Sequence, residues 1–109
     1  MEDLWTQIRE LRHRDERHSG APDPAKELLL VTKVSEESNE FAELYRRMKG
    51  WGTDGEISAT LDEVQHEACA AIMAGMVALD RISPDSTVRD VWAAYLAYGY
   101  GRAKRENAA

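Results

Sequence analysis

The run from Pro24 to Lys49, PAKELLLVTKVSEESNEFAELYRRMK, decides the fold. Leu30, Val34, Phe41, Leu44 and Met48 recur three, four or seven residues apart, which lines them along one side of an α-helix. Asp23 before Pro24 predicts a cap, with the proline at the first helical position. Gly50-Trp51-Gly52-Thr53-Asp54-Gly55 ends the helix, three glycines making a loop.

Upstream, Glu2 to His18 reads as a first helix with Leu4, Trp5, Ile8 and Leu11 on its apolar stripe. Arg9, Arg12, Arg14 and Arg17 alternate with Glu10, Asp15 and Glu16, the pattern of a solvated mixed-charge face. The two prolines and the glycine between Ser19 and Pro24 stop that helix. Downstream, a third helix is predicted over Glu56 to Ile82, and Ala68 to Leu79 contains no charged residue. A helix apolar all round is buried all round, which a chain this small achieves only with a second subunit. Ala68, Ala70, Ala71, Ala74, Gly75 and Ala78 permit close helix approach. After a turn at Ser83-Pro84-Asp85, a fourth helix carries Val88, Val91, Trp92, Tyr95 and Leu96, is weakened by Gly99 and Gly101, and ends in a basic tail.

The expectation is therefore an all-α, four-helix bundle, one domain over 1–109, its core completed by dimerisation. Within it, 1–23 form the N-terminal helix and linker, 24–82 a helix pair, and 84–109 the C-terminal helix and tail. Composition agrees: of 109 residues, 43% are hydrophobic and 31% charged, as in ordinary globular proteins. The formal net charge of −6 argues against a nucleic-acid surface, which needs a clustered basic face. Cys69 is the only cysteine, which excludes an internal disulfide and a thiolate zinc cluster. The charged opening residues do not suit a signal peptide and no apolar run suits a membrane span, so a cytoplasmic protein is expected.

Glu36, Glu37, Glu40 and Glu43 crowd the second helix. Glutamates at such spacing ordinarily mark a wet face. Glu37, however, interrupts the series Leu30, Val34, Phe41, Leu44, Met48 where a core residue belongs, and Glu40 follows one turn on. A carboxylate facing a core costs several kcal/mol unless compensated, and a divalent cation compensates two at once. Glu67 on the third helix, at the edge of the uncharged segment, reaches a similar height if the two helices are antiparallel.

Lys33-Val34-Ser35-Glu36-Glu37-Ser38-Asn39-Glu40 resembles the K-x-x-E-E-x-x-E helix of the MazG-like all-α nucleoside triphosphate pyrophosphohydrolases, and Thr60 to Cys69 resembles the run leading into their second half-motif. The resemblance covers Leu28 to Asp85. It implies magnesium, with manganese as a substitute, held by Glu37, Glu40 and Glu67, and hydrolysis of a triphosphate to monophosphate and pyrophosphate. The sequence departs from the family pattern E-x-x-D at Ala70, which cannot coordinate a cation. Glu63, one turn before Glu67, is the nearest replacement by helical geometry, and His66 fits less well.

Two roles are open to Lys33, a phosphate contact or an ion pair with Glu37. Two are likewise open to Glu36, orienting the water or plain exposure. Trp51, with Trp5 as a weaker alternative, is the candidate for stacking on a base, Asn39 for hydrogen bonding, and Lys104 and Arg105 for phosphates of a neighbouring subunit. The expected partners are a nucleotide and further copies of the chain, as a homodimer or tetramer. Competing readings are a catalytically weakened nucleotide-binding or regulatory dimer, motivated by Ala70, and a small DNA-binding protein, motivated by the arginines of the first helix and opposed by the acidic balance.

Overall fold

In the computed structural model, which describes residues 2–108, four helices and no strands are found: α1 (Leu4–Ser19), α2 (Asp23–Lys49), α3 (Leu61–Ile82) and α4 (Val88–Ala108). Asp3 caps α1, accepting a hydrogen bond from the Thr6 backbone N–H at 2.9 Å, and that bond, joined by Arg89, holds its carboxyl below the usual range. At α2 the cap lies one residue earlier than expected, on Pro22. Asp23 is the first helical residue instead, and its carboxylate meets Arg81 at 3.3 Å.

The third helix begins at Leu61, five residues later than the sequence suggests. Two features delay it. Gly55 is left-handed at φ 71°, and Thr60 forms a capping box with Glu63, each side chain taking the other's backbone N–H. At α4 the start is Val88, because Ser86 at φ 61° lies outside the helical region. Gly99 and Gly101 do not break α4.

Helices α2 and α3 form an antiparallel pair: Asp23 meets Arg81, Leu30 packs with Val77, and Arg47 meets Ser58. Gly50, left-handed at φ 74°, closes α2 by donating its N–H to the last carbonyls and lets the chain turn back. α1 lies across α3. Trp5, Ile8, Leu30, Val77 and Val88 form the core, with Leu11, Met76 and Leu79 packed against it. Val34, Phe41, Leu44 and Met48 are half-buried, so the predicted α2 stripe is real but shallow.

The mixed-charge face of α1 is not simply solvated. Arg9 and Arg12 turn onto Asp80 of α3, whose residue is only 4% exposed, at 3.3 and 2.7 Å. Arg12 and Arg81 then share Glu16 at 2.7 and 3.0 Å, and Arg81 reaches on to Asp23. Burial pushes the Glu16 carboxyl up, but the hydrogen bonds and charges of the two guanidiniums outweigh it and hold it below the ordinary value of 4.5.

Past Val88, α4 projects away from the other three helices, with Trp92, Tyr95, Leu96 and Tyr98 exposed. The radius of gyration is accordingly 17.2 Å, against about 13 Å for a compact chain of this length. The uncharged segment of α3 is buried on one side only, by Ala74, Val77 and Ala78, while Ile72 is 63% and Met73 44% exposed. The buried-all-round expectation therefore does not hold within one chain. Among the described residues, no helix is long and apolar enough to cross a membrane.

Candidate metal centre

The antiparallel pairing carries Glu37 and Glu40, one turn apart on α2, against Glu67 on α3. One carboxylate oxygen from each lies within 4.8 Å of the others. Glu37 and Glu67 are half-buried, whereas Glu40 is exposed. Glu40 thus sits at the rim of the stripe rather than inside it. Two unit charges 4 Å apart repel by about 1 kcal/mol in water and by about 4 kcal/mol near a protein surface. Three carboxylates gathered this closely are better tolerated with a counter-charge beside them.

Among the described residues, none of the three takes part in an ion pair. The Oε2 atom of Glu67 has no solvent contact and no hydrogen-bond partner among the described residues, and a buried acceptor left this way costs about 1–3 kcal/mol. The ion pairs formed by Arg46, Arg81 and Arg12 go to other acidic residues. All-oxygen donors on two rigid helices, separated by about the 4–5 Å that opposite ligands span around a small divalent cation, suit magnesium or manganese. The residues present could therefore hold a divalent cation of the kind the resemblance implies, and the orphaned oxygen is the observation that separates this cluster from an ordinary acidic surface.

Beside the cluster, a groove of about 580 Å³ is lined by Asn39, Glu40, Glu43, Arg46, Arg47 and Glu67, among others. Its carboxylates and guanidiniums face the same space. Arg47 is held in place by bonds to the Oγ and carbonyl oxygen of Ser58 at 3.0 and 2.9 Å, and Arg46 pairs with Glu43 at 2.8 Å. Neither arginine figures in the sequence reading, because both stand in the basic last turn of α2, where a cation is ordinarily explained by the helix dipole.

The other sequence candidates divide. Asn39 lines the groove. Lys33 does not; it lines a small cavity on the far side of Glu37. Glu36 is exposed and outside the carboxylate group. Glu63 is not the substitute for the carboxylate missing at Ala70: its Oε1 accepts from the Thr60 N–H and hydroxyl at 3.1 Å each, so the capping box holds it at the start of α3. His66 is exposed and outside the group. Trp51 is 66% exposed and set edge-on to Tyr45, with ring centroids 6.1 Å apart, away from the groove lining. Trp5 is core. Lys104 lies over the ring of its own helix neighbour Tyr100 at 5.2 Å, and Arg105 follows it on the projecting α4. No family model, no curated protein and no solved structure matches the chain.

Proposed function

We propose that the protein is a divalent-cation-dependent nucleoside triphosphate pyrophosphohydrolase of MazG-like type, with Glu37, Glu40 and Glu67 as the metal ligands. The observation that carries this reading is the unpartnered buried oxygen of Glu67 facing two further carboxylates beside a nucleotide-sized groove. Bound there, magnesium or manganese supplies Lewis acidity toward the α-phosphoryl group and an acidified water. The chain's own residues do the rest. Glu67, rooted in α3, and Glu37 and Glu40, rooted in α2, would hold the cation. Arg46 and Arg47, which line the same groove, offer cationic donors to phosphate oxygens, and the Asn39 amide, also in the lining, would hydrogen-bond the sugar or base.

In the test, the purified chain is incubated with a panel of ordinary and modified triphosphates. Pyrophosphate release that requires magnesium or manganese and drops at least about 100-fold in Glu67→Gln supports the reading. Absence of turnover across the panel at high enzyme concentration removes it. The alanine at position 70, which offers no carboxylate where the resembled pattern has one, favours a second reading, a nucleotide-binding or regulatory subunit with little catalysis. Triphosphate binding in calorimetry without pyrophosphate release identifies that case. In either case we read the chain as one subunit of a homodimer or tetramer, since Ile72, Met73, Trp92, Tyr95 and Leu96 lie uncovered on α3 and α4.

A further inference from the structure

Past Val88, α4 stands away from its own chain as far as Ala108. A helix of that length is marginal in water by itself, and Gly99 and Gly101 weaken it further. Val91, Trp92, Tyr95, Leu96 and Tyr98 fall within about 160° of its circumference and are between 41 and 66% exposed. Trp92, Tyr95 and Tyr98 run along that face with successive ring centroids 6.4 Å apart.

At the root of α4 the face continues into an apolar groove of about 250 Å³, walled by Trp5 of α1, Ile72, Met76 and Leu79 of α3, and Trp92 itself. Gly75 completes the lining, and a Cβ at that position would meet nothing within 4 Å. Trp92 belongs to both parts, so they form one surface, convex along α4 and concave beside α3. At about 150–250 Å² per large side chain, the helix face and Ile72 together expose about 500–800 Å². That reaches beyond the about 300–600 Å² of the largest patch on an ordinary monomer. It approaches the about 800 Å² per partner of a standard interface.

Charge is divided along the same line. α4 carries Arg89, Arg102, Lys104 and Arg105 against Asp90 and Glu106, a net +2, which leaves −8 on the rest of a chain whose total is −6. The surface that suits α4 is therefore both apolar and acidic, and the chain's own body has both properties. We propose that a second copy of the chain covers this surface, α4 of each copy lying along the groove face of α3 in the other. A convex helix and a concave groove on one chain are self-complementary about a two-fold axis, and the exchange closes at two copies. The inference rests on the reading of the chain as an oligomer, names the surfaces that meet, and is independent of the metal reading.

The test is sedimentation equilibrium of the full chain, with far-ultraviolet dichroism recorded on the same samples. The natural chain is expected to be a dimer at micromolar concentration and to lose helix as it dissociates on dilution. Gly75→Phe fills the groove from within, and Leu96→Glu puts a charge on the helix face. Each is expected to weaken dimerisation about 100-fold or more. Leu96 is exposed in the single chain, so its variant remains informative if the phenylalanine disturbs α3. Lys104→Glu combined with Arg105→Glu is expected to weaken the dimer a few-fold, less so at high salt. A dimer indifferent to both Gly75→Phe and Leu96→Glu overturns the exchange and leaves the oligomer reading standing. A monomeric natural chain overturns both. In that event a radius of gyration of about 13 Å by X-ray scattering would mean that α4 folds back onto its own groove. A radius near 17.2 Å would assign the surface to a different protein.

Discussion

Two groups of acidic residues share α3 and have opposite fates. At the far end of the bundle, Asp80 is buried and takes Arg9 and Arg12, while Glu16 takes Arg12 and Arg81. Nearer the loop, Glu37, Glu40 and Glu67 are brought within 4.8 Å of one another with no arginine or lysine among them, and one oxygen is buried without any partner. The first arrangement is internally neutralised, so it fastens α1 to α3. The second has no counter-charge paired with it among the described residues and could hold a metal ion. Carboxylates thus serve as structure where the chain pairs them with a counter-charge, as at Asp80, and mark a candidate site where it does not.

That contrast breaks most visibly at Asp80. Replacing it with alanine leaves Arg12, 15% exposed at its side chain, with Glu16 as its remaining acidic partner and takes from Arg9 the carboxylate it meets. A loss of about 1.5–3 kcal/mol in urea unfolding is expected, and a loss below about 0.5 kcal/mol, within the noise of an ordinary surface change, would show that α1 is held by its apolar stripe alone. The opposite sign is expected at the other group. Glu67→Gln removes one of three crowded charges and supplies an amide donor to its neighbours, so the metal-free protein should gain about 1 kcal/mol. Destabilisation by that change would mean that Glu67 is already compensated in the metal-free chain.

The smallest effect is a pH dependence specific to the network. The folded carboxyl of Glu16 is held below the ordinary 4.5. Its contribution is therefore complete above that value and disappears as pH falls through the lowered one. Stability measured from about pH 6 down to about pH 3 should decline more steeply in the natural chain than in Glu16→Gln, by about 1 kcal/mol or less in total. Parallel curves would remove Glu16 from the account of acid sensitivity.

What was legible in the sequence had a local cause. The helices follow from apolar spacing of three and four, from the prolines before α2 and from the glycines after it, and α-helical hydrogen bonds are made within the segment that carries those signals. Glu37 and Glu40 were visible for the same reason, as residues out of place on a stripe whose period is read directly. Glu67 needed one further step, the antiparallel return that a short loop imposes. Local signals misled where a side chain had a nearer partner: Glu63 stands one turn from Glu67, yet its carboxylate bends back to the Thr60 N–H.

The remaining features depend on which surfaces meet, which no window of sequence contains. Arg9 and Arg12 read as a solvated face until α3 brings Asp80 to them from 71 and 68 residues away. The stripe on α4 and the uncharged run in α3 are plain in the sequence, but their exposure was decided by the departure of α4 after Val88. The sequence alone thus determined that there are helices and that one of them carries misplaced carboxylates, because both are matters of spacing along a chain. Tertiary structure decided which charges are neutralised and which are left bare, because electrostatic compensation depends on distance in space.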